Sequence, residues 1–141
     1  MASPLQRLKP QGSSMGVTYV TASVTNLSKD AEPFEAQFLV DTGAVDCLAP
    51  RDKLLAAGIE PEGKKVYELA DGNPIELEYG FARVSFLGNE TVAQIIFGPE
   101  GVEPLLGVVA LENTGLMVDP VSQSLKRLPA VPLKTARRYQ G

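Results

Sequence analysis

The chain of 141 residues contains no histidine, a single cysteine and no apolar stretch long enough to span a membrane. The absence of histidine excludes Ser-His-Asp and Cys-His nucleophilic systems and every histidine-ligated metal site. One cysteine cannot form a disulfide within the chain, which indicates a reducing compartment. The N-terminus also lacks the apolar core of a signal peptide. We therefore expect a soluble, cytoplasmic protein. If it is an enzyme, its chemistry must come from carboxylates, hydroxyls, lysines or the backbone.

Composition and charge indicate one globular domain rich in turns. Apolar residues make up 44% of the chain and charged residues 21%, an ordinary globular balance. Thirteen glycines and eleven prolines predict many turns, and therefore short strands rather than long helices. The net charge of −4 argues against nucleic-acid binding, and the lack of a long apolar run argues against membrane insertion.

The sequence divides into an arm, a domain and a tail. Residues 1–15 are polar and without periodicity, which predicts a flexible arm, either native or left by cloning before Met15. Residues 16–129 carry the alternating apolar pattern of a folded domain. Residues 130–141 contain three basic side chains and are predicted to be a flexible, solvated tail.

Alternating β-branched and aromatic residues predict a mostly antiparallel, all-β domain with one or two short helices. The predicted strands cover residues 16–26, 34–40, 65–69, 75–81, 82–87, 90–97, 116–118 and 121–128. The first two should form a hairpin, and the turns at residues 70–74 and 88–89 should close two more. Proline at the start and glycine at the end predict a helix over residues 50–58, and a second helix is predicted over residues 109–114, before Gly115.

The stretch from Phe38 to Ala49 needs a specific explanation. Its apolar strand leads directly into Asp41, which is followed by a hydroxyl residue and the smallest residue, Gly43. A carboxylate near a core is costly unless it is hydrogen-bonded or used in chemistry. Asp41 is therefore the first candidate for a catalytic residue, and the alternative is a structural acid in a turn at a strand end.

The sequence Asp41-Thr42-Gly43-Ala44 after an apolar strand resembles the catalytic loop of the retropepsin-like aspartic proteases. The resemblance extends over residues 17–128 and is nearest to the single-domain bacterial and archaeal members. Other features of the sequence that resemble the family are a hairpin turn about thirty residues after the motif and the segments 97–101, 103–107 and 115–120. It implies an acid-protease β-barrel with one lobe per chain.

The resemblance also implies roles for individual residues. Asp41 would be catalytic, and the support of its loop would come from Thr42, Gly43, Leu106 and Gly107. Substrate would be bound by Gly43, Ala44 and Asp46 and by a flap tip made of Ala70, Asp71, Gly72 and Asn73. The chain departs from viral members at Val45, where they often carry an acid. Asp46 has an alternative role as a turn acid, and Cys47 is expected to be a small buried residue, since no histidine base is present.

Aspartic-protease chemistry needs two carboxylates that share one proton, because close like charges do not both ionise. The chain has one Asp-Thr-Gly motif, so the resemblance implies a homodimer that pairs two copies of Asp41 on its two-fold axis. The expected activity is that of an aspartic endopeptidase acting on an extended peptide or protein substrate, and this mechanism needs no metal or organic cofactor. The rival hypothesis is a dimeric binding or scaffold module that kept this loop for packing and has restricted or no proteolytic activity.

Overall fold

Nine strands and two short helices form the part of the chain that the computed structural model describes, which is residues 18–119, 121–122 and 124–128. The strands are β1 (Thr18–Thr25), β2 (Phe34–Val40), β3 (Cys47–Pro50), β4 (Gly63–Glu68), β5 (Pro74–Phe86), β6 (Asn89–Gly98), β7 (Leu105–Leu106), β8 (Leu116–Val118) and β9 (Leu125–Arg127). The helices are α1 (Arg51–Ala56) and α2 (Val108–Thr114). Strands account for 51% of the structure, which confirms the all-β prediction.

Seven strands form one sheet in the order β1-β2-β7-β3-β6-β5-β4, and β8 and β9 form a separate pair. The large sheet is ring-like because β1 also pairs with β5, so β4 alone extends beyond the ring. Most pairs are antiparallel, as predicted, whereas β2–β7 and β3–β6 are parallel. The ring brings the ends of β2, β3 and β7 together, and this arrangement positions the candidate site.

The three predicted hairpins are confirmed. β1 pairs with β2, β4 with β5 and β5 with β6, all antiparallel. The turn between β4 and β5 needs a left-handed residue, which Gly72 supplies at φ 85°. The turn between β5 and β6 has Leu87 and Gly88 at φ 50° and 77°, so a leucine occupies a conformation that costs most side chains energy.

Two predicted strands, residues 75–81 and 82–87, are wrong as separate elements, because β5 runs through both. Gly80 lies within this strand without breaking it. A side chain there would approach the Glu60 carbonyl oxygen to 2.6 Å and the Phe97 ring to 3.1 Å, so glycine permits close packing instead of a turn.

The structure also corrects several element boundaries. The predicted helix over residues 50–58 is α1, which ends at Ala56, and α2 begins one residue earlier than predicted, at Val108. The predicted final strand 121–128 shortens to β9, because the Asp119 carboxylate accepts a hydrogen bond from the Val121 amide at 2.9 Å and forms a turn. Strands β3 and β7 were not predicted, since four and two residues are too few to show a period.

The main core fills the inside of the ring with side chains such as Phe38, Leu54 and Ile95, all fully buried. A second buried cluster contains Leu39, Leu48, Val102 and Leu105, with Leu69, Leu77 and Ile96 packed against it. This second cluster lies on the other face of the sheet and forms one side of the candidate site. Within the described residues, the structure has no helix that is long and apolar enough to cross a membrane. The predicted arm 1–15 and tail 130–141 lie outside the described residues.

Candidate functional site

Asp41 follows the buried end of β2 and is itself 9% exposed. Its backbone N–H donates to the Leu106 carbonyl at 3.0 Å, which continues the pairing of β2 with β7. Its carboxylate Oδ1 accepts the Gly43 N–H at 2.9 Å, and its carbonyl accepts the Ala44 N–H at 3.1 Å. The turn therefore closes on itself and orients one carboxylate oxygen. Within the described residues the second oxygen, Oδ2, accepts no hydrogen bond, which leaves it available for chemistry.

The segment after β7 holds this turn from behind. The Val108 N–H donates to the Ala44 carbonyl at 2.8 Å, and the Val109 N–H donates to the Val45 carbonyl at 3.2 Å. A Cβ atom on Gly107 would come within 2.5 Å of the Asp46 carbonyl oxygen, so the two backbones approach more closely than any side chain would allow. The structure thus places Leu106 and Gly107 against the loop that the sequence assigned them to support.

Asp41 lines a cavity of about 280 Å³. Its lining residues are Asp41, Gly43, Ala44, Val45, Asp46, Leu48, Tyr67, Glu68, Leu69, Leu77, Ile96 and Leu105. Most of these side chains are apolar, and the ionisable acids among them are Asp41, Asp46 and Glu68. Three residues predicted to bind substrate, Gly43, Ala44 and Asp46, do lie at this cavity. Thr42 is exposed and is not part of the lining.

The β4–β5 hairpin covers the cavity with its arms rather than with its tip. Tyr67, Glu68, Leu69 and Leu77 line the cavity, whereas residues 70–73, predicted as the contacting tip, are exposed and outside the lining. The tip is closed by local bonds, since the Leu69 N–H donates to the Asn73 carbonyl at 2.9 Å and the Asn73 N–H donates to Asp71 Oδ1 at 3.0 Å. In this single chain the tip therefore reaches beyond the cavity.

A polar network connects the hairpin to the loop after Asp41. Gln94 on β6 donates from Nε2 to Asp46 Oδ2 at 2.8 Å, and Lys65 on β4 donates from Nζ to Gln94 Oε1 at 3.3 Å. The Lys65 ammonium also lies 4.9 Å from the centre of the Tyr79 ring. Burial raises the pKa of Tyr67, the negative charge of Asp46 raises it further, and the nearby Gln94 amide partly opposes the shift.

Sequence reasoning missed Tyr67, Gln94 and the apolar lining residues Leu48, Leu69, Leu77, Ile96 and Leu105. Two-residue alternation in β5 and β6 places Leu77 and Ile96 on the same face, a signal that the sequence does contain. The register between the strands, which decides that this face meets Asp41, depends on contacts between distant segments.

Cys47 is buried, as expected, and burial raises the pKa of its thiol to about 11. The nearby Asp46 charge adds to this shift, whereas the Gly107 backbone N–H opposes it. We expect iodoacetamide at pH 8 to alkylate the native protein roughly a hundredfold more slowly than the urea-unfolded chain, because the thiolate is the reactive form. Mass spectrometry of timed samples measures both rates, and equal rates would show that Cys47 is accessible and ionisable.

Comparison of the sequence with models of known protein families gives no match, and no curated protein matches it in sequence. The chemistry of Asp41 and its cavity is therefore what indicates the function of this chain.

Proposed function

We propose that this chain is a retropepsin-like aspartic endopeptidase that acts as a homodimer. The observation that carries the proposal is the position of Asp41: a nearly buried carboxylate, fixed by its own turn, at the wall of an apolar cavity that a β-hairpin covers. Structural turn acids are usually solvated, whereas catalytic carboxylates sit in clefts where water is partly excluded.

The proposed mechanism uses one Asp41 from each subunit. One carboxylate accepts a proton from a water molecule, and the resulting nucleophile attacks the carbonyl carbon of the scissile peptide bond. The other, protonated carboxyl donates its proton to the carbonyl oxygen. As the tetrahedral intermediate collapses and the C–N bond breaks, the first carboxyl gives its proton to the leaving amine. The second carboxylate takes back a hydroxyl proton from the re-forming carbonyl group, which restores the singly protonated pair. The chain has one Asp-Thr-Gly sequence, and the other two carboxylates that line the cavity, Asp46 and Glu68, lie outside it. The proposed pair therefore takes its second Asp41 from another subunit.

Three features of the fold support the retropepsin-like assignment. The sheet is ring-like, the Asp41 turn is hydrogen-bonded to the segment at Leu106 and Gly107, and the β4–β5 hairpin projects over the cavity. An extended peptide between the hairpin and the Asp41 turn could pair with backbone groups on both sides, because β4 is an edge strand of the sheet. Thr42 is exposed next to Asp41, and in the proposed dimer it would contact its counterpart in the second subunit.

The proposal is tested by digesting a mixed peptide library from about pH 3 to pH 7 at a series of protein concentrations. Cleavage should favour acidic pH, since a carboxylate pair works with one shared proton. Below the dimer dissociation constant the rate should rise with the square of the protein concentration, and above it linearly. Mass spectrometry of the fragments measures the rates and reveals the preferred side chains.

A strictly linear rate at concentrations where sedimentation shows only monomer would contradict the dimeric mechanism. Absence of cleavage by a confirmed dimer would favour the other candidate, a binding module that uses the same cavity. That candidate draws support from the apolar lining, which could hold an apolar side chain without any chemistry.

A further inference from the structure

The cavity carries charge of one sign. Asp41, Asp46 and Glu68 line it, and no lysine or arginine is among the lining residues in the described part of the chain. Carboxylates beside an apolar, partly water-excluded wall attract a cation more strongly than they would in open water. The cavity is therefore complementary to a ligand that combines apolar surface with a positive charge.

Asp46 is the carboxylate best fixed for such a contact. The Gln94 amide donates to its Oδ2 at 2.8 Å and determines the orientation of the carboxylate. The Lys65 ammonium donates to the oxygen of the same Gln94 amide, Oε1, at 3.3 Å. The amide group of Gln94 therefore lies between the Lys65 ammonium and the Asp46 carboxylate. Within the described residues, Asp46 makes no salt bridge, and its other oxygen, Oδ1, accepts no hydrogen bond. A carboxylate can accept about four hydrogen bonds, which leaves capacity for a ligand.

The hydroxyl of Tyr67 is a second, independent indication of a missing partner. Tyr67 lines the same cavity close to Asp46 and to the Gln94 amide, yet within the described residues its enclosed oxygen makes no hydrogen bond of ordinary geometry. Buried hydroxyls without partners are uncommon and costly. A lysine ammonium carries three donors, so it can bind the Asp46 carboxylate and the Tyr67 oxygen at once when a small shift of the ring opens the oxygen to the cavity.

We propose that Asp46 and Tyr67 form a specificity subsite for the charged end of a basic side chain, with Gln94 as the residue that positions Asp46. The four-carbon stem of a lysine would pack on the apolar wall beside Leu77 and Ile96. Successive side chains of an extended peptide point to opposite faces, so the apolar residue and the basic residue that share this cavity stand two positions apart. This inference rests on the proposed function for its peptide substrate and adds the substrate class.

The test measures binding and cleavage separately. Fluorescent hexapeptides carry leucine and lysine two positions apart, in both orders, and a matched set carries norleucine in place of lysine. Binding is measured by anisotropy on the Asp41→Asn protein, which keeps the cavity but should not cut. The lysine peptide of at least one order should bind about tenfold more tightly than its norleucine partner, the usual size of one hydrogen-bonded charge contact. A peptide with leucine and lysine adjacent should lose this advantage.

Two further variants, each made in the Asp41→Asn protein, test the roles of Asp46 and Gln94 in binding. Asp46→Asn keeps an oxygen for the Gln94 amide but loses the charge, so the lysine preference should fall below about twofold. Gln94→Leu should weaken binding of the lysine peptide severalfold and leave the norleucine peptide unchanged, which a general loss of structure would not do. Near-ultraviolet circular dichroism checks that each variant is folded.

Equal binding of lysine and norleucine peptides in both orders, or no measurable binding of either, would overturn the subsite. A lysine preference that survives Asp46→Asn would overturn the role of Asp46. The proposed protease function is judged separately, on the wild-type protein. Cleavage without any lysine preference would support the protease function and contradict the subsite. An Asp46-dependent lysine preference without cleavage would support the subsite and contradict the protease function.

Discussion

Replacing Asp41 with asparagine is expected to abolish peptide cleavage, with a loss of roughly a thousandfold or more. Asparagine can neither accept a proton from water nor donate one to the scissile carbonyl, and such acid–base steps contribute about 10² to 10⁴ in rate. The turn should survive, because an asparagine Oδ1 still accepts the Gly43 N–H that Asp41 accepts at 2.9 Å. We expect the dimer to unfold at an equal or higher temperature, since two carboxyl groups no longer have to share one proton at close range. Initial rates of cleavage and thermal unfolding measure both effects.

The matched control is Asp52→Asn, which removes the same charge from an exposed position in the first turn of α1, outside the cavity. Its cleavage rate should equal that of the wild type. Mixing supplies a second control. When the Asp41→Asn protein is in ninefold excess and subunits exchange freely, only about one wild-type subunit in ten keeps a wild-type partner, so activity per wild-type subunit should fall to about a tenth. Unchanged activity in the mixture would show that one subunit suffices and would contradict the shared active site.

Replacing Gly107 with alanine should cost roughly 3 kcal/mol of unfolding free energy and lower the melting temperature by roughly 10 °C. The added Cβ atom would lie 2.5 Å from the Asp46 carbonyl oxygen and 2.6 Å from the Val45 carbonyl oxygen. Both are backbone atoms of the loop that follows Asp41, so the loop has to move away from α2. We expect cleavage to fall with stability, because the same movement displaces the Asp41 turn. Urea titration measures the loss of stability. Cleavage rates taken at a temperature where the variant is folded measure the separate loss of activity.

Gly63→Ala is the control for this substitution. Its Cβ atom would come equally close to a neighbour, 2.6 Å, but that neighbour is the hydroxyl end of the Tyr79 side chain. A side chain can rotate away where a backbone carbonyl cannot, so the cost should stay below about 1 kcal/mol. Similar losses for the two variants would show that the contact with the backbone at Gly107 has no special importance.

Local patterns predicted most of the fold. β-branched alternation and strong turn residues located β1, β2 and the two later hairpins, and the proline and glycine at the ends of the helices located α1 and α2. The predictions were wrong where tertiary packing, and not the local sequence, decides where a strand begins or ends. The predicted boundary between Phe81 and Ala82 is wrong, because β5 continues through it. Gly80 lies within this strand, where its missing side chain makes room for the Glu60 carbonyl and the Phe97 ring.

The candidate site was predicted unevenly. Asp41 stood out because an acid after an apolar strand needs an explanation, and the structure places it at a cavity together with Ala44 and Asp46. The hairpin tip at residues 70–73 was an obvious turn, yet the arms on either side of it form the cavity wall. Which part of a hairpin covers a cleft depends on strand length and twist, and turn residues do not encode either of these.

The chemistry available to this protein follows from its amino-acid sequence alone: carboxylates without histidine, one Asp-Thr-Gly turn after an apolar strand, and short strands separated by glycine and proline. Tertiary packing brings Gln94 to Asp46 and Lys65 to Gln94, and it encloses the Tyr67 hydroxyl at the same cavity. The reason is physical. Turns and strand ends are local in the chain, whereas Asp46 and Gln94 are 48 residues apart and meet because the parallel register of β3 and β6 brings them together.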